Sequence, residues 1–208
     1  MEYYIGASNN RHDEQIQEYD LDYSFDENIL GLYRYTFDGT IFVYASKDYY
    51  DERHSIGVIR ATFLDEELIS NDETTVMRVA DAIDIDVSNA FRNLVPHELY
   101  KKRFDFGYSM LPPHSCYIST FYIDPEYRGQ GLGSHLIEDL NRIYLHMFNT
   151  YIRCMVTYPK PNPPEGGWKN EKEKVQAKER LARFFENHGF SALEDSGFYA
   201  RNYAMEME

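Results

Sequence analysis

Arg128-Gly129-Gln130-Gly131-Leu132-Gly133 sets three glycines on alternate positions directly behind an arginine. Glycines leave backbone N–H groups unobstructed. At the start of a helix such groups, aided by the helix dipole, suit an anion. A glycine-rich turn that only packs tightly would use the same residues, and spacing alone leaves both open. Two phosphate motifs fit poorly. The run is G-x-G-x-G rather than G-x-G-x-x-G, with no acid about 20 residues on at a strand end to hold a ribose. It also lacks the Gly-Lys-Ser/Thr ending of a nucleotide-triphosphate loop. Arg128 either adds charge for an anion or stands as a solvated rim residue.

The loop is positioned by the elements around it. CYISTFYI (116–123) reads as a strand, and the residues after the loop carry a helical stripe of Leu136, Leu140, Ile143, Met147 and Phe148. YIRCMVTYP (151–159) is a further strand, followed by the Pro/Gly loop PKPNPPEGGW. A charged helix runs from about 170 to 188, marked by Val175, Leu181, Ala182 and Phe185, and Gly189 stops it. Two closing strands turn near Ser196-Gly197. Upstream, 33–46 predicts a hairpin turning at Asp38-Gly39, and 55–64 a strand with a bulge-tolerant Gly57. Residues 65–110 carry a helical insertion, clearest at 86–95 and closed by Pro96. The first 30 residues form an acidic arm or helix. The expectation is one α/β (mixed α+β) domain over residues 1–208, with a mixed, mostly antiparallel sheet flanked by helices.

Bulk properties narrow the function. With 208 residues and 16% aromatics, including 19 tyrosines, the chain can bury a real core. No stretch approaches the roughly 20 apolar residues of a membrane helix, and the N-terminus has no signal-peptide organisation. Cys116 and Cys154 lie inside strands, which favours buried free thiols in a reducing cytoplasm over a disulfide or metal site. Net charge is −14, yet unevenly spread: residues 1–30 hold eight acids against Arg11, whereas 169–188 hold six Lys/Arg against four Glu. Such a field repels nucleic acid and anionic membranes and attracts a cationic partner, unless it serves solubility alone.

The stretch Ile123-Asp124-Pro125-Glu126-Tyr127-Arg128-Gly129-Gln130-Gly131-Leu132-Gly133 resembles motif A of the GNAT superfamily, the acyl-CoA-dependent N-acyltransferases. Leu181-Ala182-Arg183-Phe184-Phe185-Glu186-Asn187-His188-Gly189-Phe190 is similar to its motif B, a helix ending in an aromatic–acid–x–x–Gly–Phe run. The two stand in order, joined by a strand–helix–strand unit. The resemblance spans about residues 31–205 and is firmest over 116–192, which would be the cofactor-binding core. Tyr158-Pro159-Lys160-Pro161 resembles a bacterial branch with a Pro-rich insertion at this point.

The resemblance implies acetyl-CoA as acyl donor, attacked directly by a primary amine, with no metal. Main-chain groups of Phe121, Tyr122 and Ile123 would hold the pantetheine arm. N–H groups of Arg128, Gly129, Gln130, Gly131, Leu132, Gly133 and Ser134 would receive the pyrophosphate, the three glycines clearing space for it. Direct attack needs a base, oxyanion donors and an acid for the thiolate. Where the family often places a Glu or His base on the motif A strand, this chain has Tyr117 and Ser119. His114 lies just before the strand as a candidate base, with an ordinary loop histidine the preferred reading. Asp81, Asp84 and Asp86 line an acceptor pocket or form a solvated acidic face. The family's usual acid, a Tyr on the motif B helix, is replaced by Phe185, which would pack against the cofactor. Its frequent Asn is replaced by Lys178, which would pair with a CoA phosphate or stabilise developing charge, or else face water. Tyr199 and Tyr203 on the last strand are substitute donors. The alternatives are a non-catalytic acyl-CoA sensor and an interaction scaffold. The N-terminal arm and the insertion would shape the acceptor cleft or a homodimer contact.

Overall fold

Runs of alternating apolar residues become seven strands in the computed structural model, which describes residues 2–11, 36–46, 54–71, 74–101, 113–149, 151–163 and 167–203. They are β1 (Glu2–Arg11), β2 (Thr36–Ser46), β3 (His54–Asp65), β4 (Pro113–Ile123), β5 (Tyr151–Thr157), β6 (Ser191–Ala192) and β7 (Tyr199–Asn202). One sheet holds them in the order β1-β2-β3-β4-β5-β7-β6. Every pairing is antiparallel except β4 with β5. A parallel pair needs a crossover, and here it is helical, α5 (Leu132–Glu138) and α6 (Leu140–Phe148). The mixed, mostly antiparallel sheet with flanking helices is the expected fold class.

Helices cover both faces. On one face Leu136, Ile137, Leu140 and Tyr144 of α5–α6 and Phe185 of α7 (Glu171–Asn187) pack against Ile41, Ile59, Phe63 and Met155. On the other lie α1 (Glu66–Asn71), α2 (Val76–Ile83), α3 (Ile85–Leu94) and α4 (Glu98–Lys101), which supply Ile69, Val79, Val87, Phe91 and Leu94. Thr75 and Asp84 cap α2 and α3 by accepting from Arg78 N at 3.2 Å and Val87 N at 2.8 Å. A bulge at Arg153 of β5 turns its guanidinium toward α1, where it donates to Glu66 Oε2 at 2.6 Å, and a third donor reaches the Tyr100 carbonyl at 2.9 Å. Both partners are buried, so the pair ties the insertion to the central strand.

Three expectations change. Asp38-Gly39 is no hairpin turn: β2 runs through it, and β1 begins near the N-terminus as the neighbouring strand. A Cβ on Gly39 would meet the rings of Phe63 at 2.7 Å and Phe148 at 2.8 Å, so this glycine admits aromatic packing rather than a turn. Asp38 faces Thr62, whose hydroxyl donates to it at 2.6 Å. The single helix expected after the loop bends at Asp139 into two. Within the acidic arm, residues 2–11 are a strand, while 12–30 lie outside the described residues.

Candidate active site

The site begins with a flaw in β4. Arg60 pairs with Thr120 and Ala61 with Ile118, so Ser119 is an extra, bulged residue. The bulge shifts the alternation by one. Cys116 and Ile118 face α5–α7, and past the bulge Phe121 and Ile123 face the same side. Tyr117 and Ser119 therefore do not share a working face. Tyr117 is buried against the insertion, its phenol pushed up to about 12 by burial and then by Asp86 and Asp84. Ser119 is exposed and donates to the Arg60 carbonyl at 3.3 Å.

On its other side β4 leaves β5 early. The ladder ends at Ile118–Thr157, five residues before β4 does, counted from Ser119 to Ile123. Thr157 closes it by donating its hydroxyl to the Ile118 carbonyl at 3.0 Å, and Pro159 follows with no N–H to extend it. β5 itself ends at Thr157, so from Ser119 on this edge of β4 has no strand beside it, and it opens into a cleft of about 1100 Å³. Phe121, Tyr122 and Ile123 line its strand wall, Gly129, Gly131, Gly133 and Ser134 its loop wall, and Leu181 and Phe184 of α7 its floor. A smaller chamber of about 190 Å³ lies where β5 ends, between Ser119–Phe121, Thr157–Tyr158 and Phe185.

The glycines divide by role. Gly129 and Gly131 have φ of 76° and 82°, the left-handed region that L side chains rarely adopt. Beyond each, the space is open. Gly131 caps α5 with no side-chain hydrogen bond, so the first-turn N–H groups of Leu132, Gly133 and Ser134 start the helix unsatisfied by a cap. Gly133 is helical, and a Cβ there would meet the Phe184 ring at 3.6 Å and the Phe121 ring at 3.9 Å, both ordinary contacts. Neither its backbone nor its protein neighbours demand glycine. Arg128 bends back: its Nε donates to the Ile123 carbonyl at 2.7 Å and its guanidinium lies 5.5 Å from the Tyr122 ring centre. It pins the loop to the strand end. Tyr122 bonds Asp124, which with its partial burial holds the phenol above its ordinary value. Gln130 donates to the Glu126 carbonyl at 3.2 Å and braces the turn.

The structure brings residues 121–123 and the loop together at the cleft and Ser119 and Phe185 to its chamber, and sets the other candidates apart. Lys178 is not on the cleft wall: its ammonium donates to the Tyr158 hydroxyl at 2.6 Å. Phe185 is 1% exposed, wedged among Phe121, Phe184 and Phe190. Tyr199 sits behind the chamber, raised by burial and by its hydrogen bond to Glu186. Tyr203 is buried with its hydroxyl on Met155. His114 is at the far end of β4, buried, 3.6 Å from Asp65 and edge-on to Phe37. Asp81 accepts from Ser88, Asp84 caps α3 and Asp86 is exposed. Cys116 and Cys154 are free buried thiols, both pushed up by burial, Cys154 to about 12. Among the described residues no group of three or more His, Cys, Asp or Glu could hold a metal, and no helix is long and apolar enough to cross a membrane.

Residues missed at the sequence level lie in the Pro-rich loop and on the outer face of α7. Lys160, Asn162, Trp168, Glu173, Ala177 and Arg180 all line the cleft. Periodicity is silent in a loop, though the lone Trp168 behind two glycines was a signal available there.

Residues 99–192, which span β4, the glycine loop, β5 and α7, match the family described as acetyltransferase (GNAT) domain. No curated protein matches. Among solved structures, one of a KacTA–DNA complex is 14% identical at TM-score 0.40, covering 99% of this chain and 98% of that one. Arabidopsis thaliana NAA60 in complex with acetyl-CoA is 13% identical at TM-score 0.39, covering 91% and 87%. The loading GNATL domain of CurA from Lyngbya majuscula is 15% identical at TM-score 0.35, covering 98% and 99%. These likenesses are loose and carry nothing about what this chain binds.

Proposed function

We propose that the chain transfers an acetyl group from acetyl-CoA to a primary amine by direct attack on the thioester. The observation that carries this is the β4–β5 seam, open from Ser119 onward and leading straight to the glycine loop. An extended pantetheine arm would lie along the unladdered edge at Phe121–Ile123. The N–H groups from Arg128 to Ser134 would receive the pyrophosphate, with helix α5 adding its dipole. The cleft carries Arg128, Lys160 and Arg180 against Glu173, a local basic excess in a chain of net charge −14. That contrast suits an anionic donor in the cleft. The overall charge supports a cationic amine as acceptor and counts against nucleic acid.

Titration with CoA followed by thermal unfolding checks the binding step. At 100 times its dissociation constant the ligand adds about 2.7 kcal/mol of stability. Thiol release from acetyl-CoA across a panel of amines checks the chemistry, and no turnover above hydrolysis would remove the enzymatic reading. Phe185 at the family's acid position favours a second reading, a sensor that binds acyl-CoA without chemistry. It requires the thermal shift without thiol release.

A further inference from the structure

We propose that Tyr158 is the proton donor to the departing thiolate and that Lys178 is its positioning residue. The inference rests on the acyl-transfer reading above. The family's donor position holds Phe185, which has no proton to give. The chamber beside Ser119–Phe121, at the end of β5, is where a thioester at the end of the pantetheine arm would lie. Among the described residues lining it, Tyr158 carries the one phenol.

The hydrogen bonds around the chamber single out that phenol. Ser119 and Thr157 give their hydroxyl protons to the carbonyls of Arg60 and Ile118. The rival donor Tyr199 already donates its hydroxyl to the Glu186 carboxylate, and it does not line the chamber. Tyr158 has the opposite arrangement. Its oxygen accepts from Lys178 Nζ at 2.6 Å. An ammonium has three donors and no acceptor, so the phenolic proton points elsewhere and is available. The same ammonium, 4.4 Å from the ring centre, stabilises the negative charge that donation leaves on the oxygen. The ring itself is fixed by Phe198, edge-on at 5.2 Å, and by Gly197, where a Cβ would approach to 3.1 Å.

In the step, the amine lone pair forms the C–N bond at the acyl carbon. The C–S bond then breaks with its electron pair on sulfur. Sulfur takes the Tyr158 proton and leaves as the CoA thiol, and the new amide nitrogen loses its proton to water. The phenolate, held by Lys178, recovers a proton from water.

The test uses the full chain, acetyl-CoA and spermidine as the primary amine, with released thiol and calorimetric acetyl-CoA affinity measured together. Tyr158→Phe keeps the ring packing. It is expected to lower kcat about 100-fold, the usual worth of a general acid, with acetyl-CoA affinity within about twofold of wild type. Lys178→Met is expected to lower kcat about tenfold, and Lys178→Arg to restore part of that. A Tyr158→Phe rate within threefold of wild type overturns the assignment and leaves acyl transfer standing. So does a loss carried instead by Tyr199→Phe. A wild type that binds acetyl-CoA but releases no thiol overturns it in favour of the sensor. One that does not bind acetyl-CoA removes the acyl-transfer reading as well.

Discussion

Gly131 and Gly133 stand two residues apart and are glycine for different reasons. Gly131 needs its left-handed φ, so Gly131→Ala is expected to cost about 1–2 kcal/mol in the ligand-free protein, read as a lowered urea midpoint. Gly133 is helical with ordinary contact distances around a would-be Cβ. Gly133→Ala should therefore stabilise the free protein by about 0.5–1 kcal/mol while weakening CoA affinity at least tenfold. A variant that is stabler and still binds CoA normally would mean that the position serves packing, not a ligand. The sequence displayed the alternation of glycines but not this division, because φ and clearance belong to the folded backbone. Arg128 was equally ambiguous by type. Its bond to the Ile123 carbonyl makes it a brace for the loop.

At the scale of elements, the strand–loop–helix–strand unit was legible because its apolar periods are long and its glycines punctuate them. What escaped was register. Tyr117 and Ser119 look like same-face neighbours until the bulge at Ser119 is known, and a bulge has no pattern of its own in the sequence. Asp38-Gly39 has the composition of a hairpin turn, yet the Phe63 and Phe148 rings need the glycine within a continuous strand. The helical insertion was visible, but its anchor was not, since Glu66 and Arg153 are 87 residues apart. Glu66→Ala leaves a buried guanidinium without its carboxylate and is expected to cost about 3–5 kcal/mol, measured by denaturant unfolding. A loss under 1 kcal/mol would mean that water reaches Arg153 and the insertion is held by its apolar face alone.

Over the whole molecule, several acidic protons are locked in the core. Tyr117 and Cys154 are pushed up to about 12, and Cys116 and Tyr144 are also raised, in each case chiefly by burial. The unfolded chain ionises its thiols near pH 8.5 and its phenols near 10, so above those values it binds fewer protons than the native state. Stability is thus fully present below about pH 8.5 and falls as pH rises toward 12. Urea midpoints taken from pH 8 to 11 should decline, and Tyr117→Phe should flatten the slope above pH 10. An unchanged slope would mean that Tyr117 ionises as readily folded as unfolded. The split seam has a further consequence, for company rather than chemistry. Beyond Ile118, β4 is a sheet edge enclosed inside the molecule, with α7 across it and the Pro-rich loop at its mouth. An outer edge invites any passing strand, whereas this one lies along a cleft faced by Leu181 and Phe184, so whatever completes the sheet must enter through that cleft.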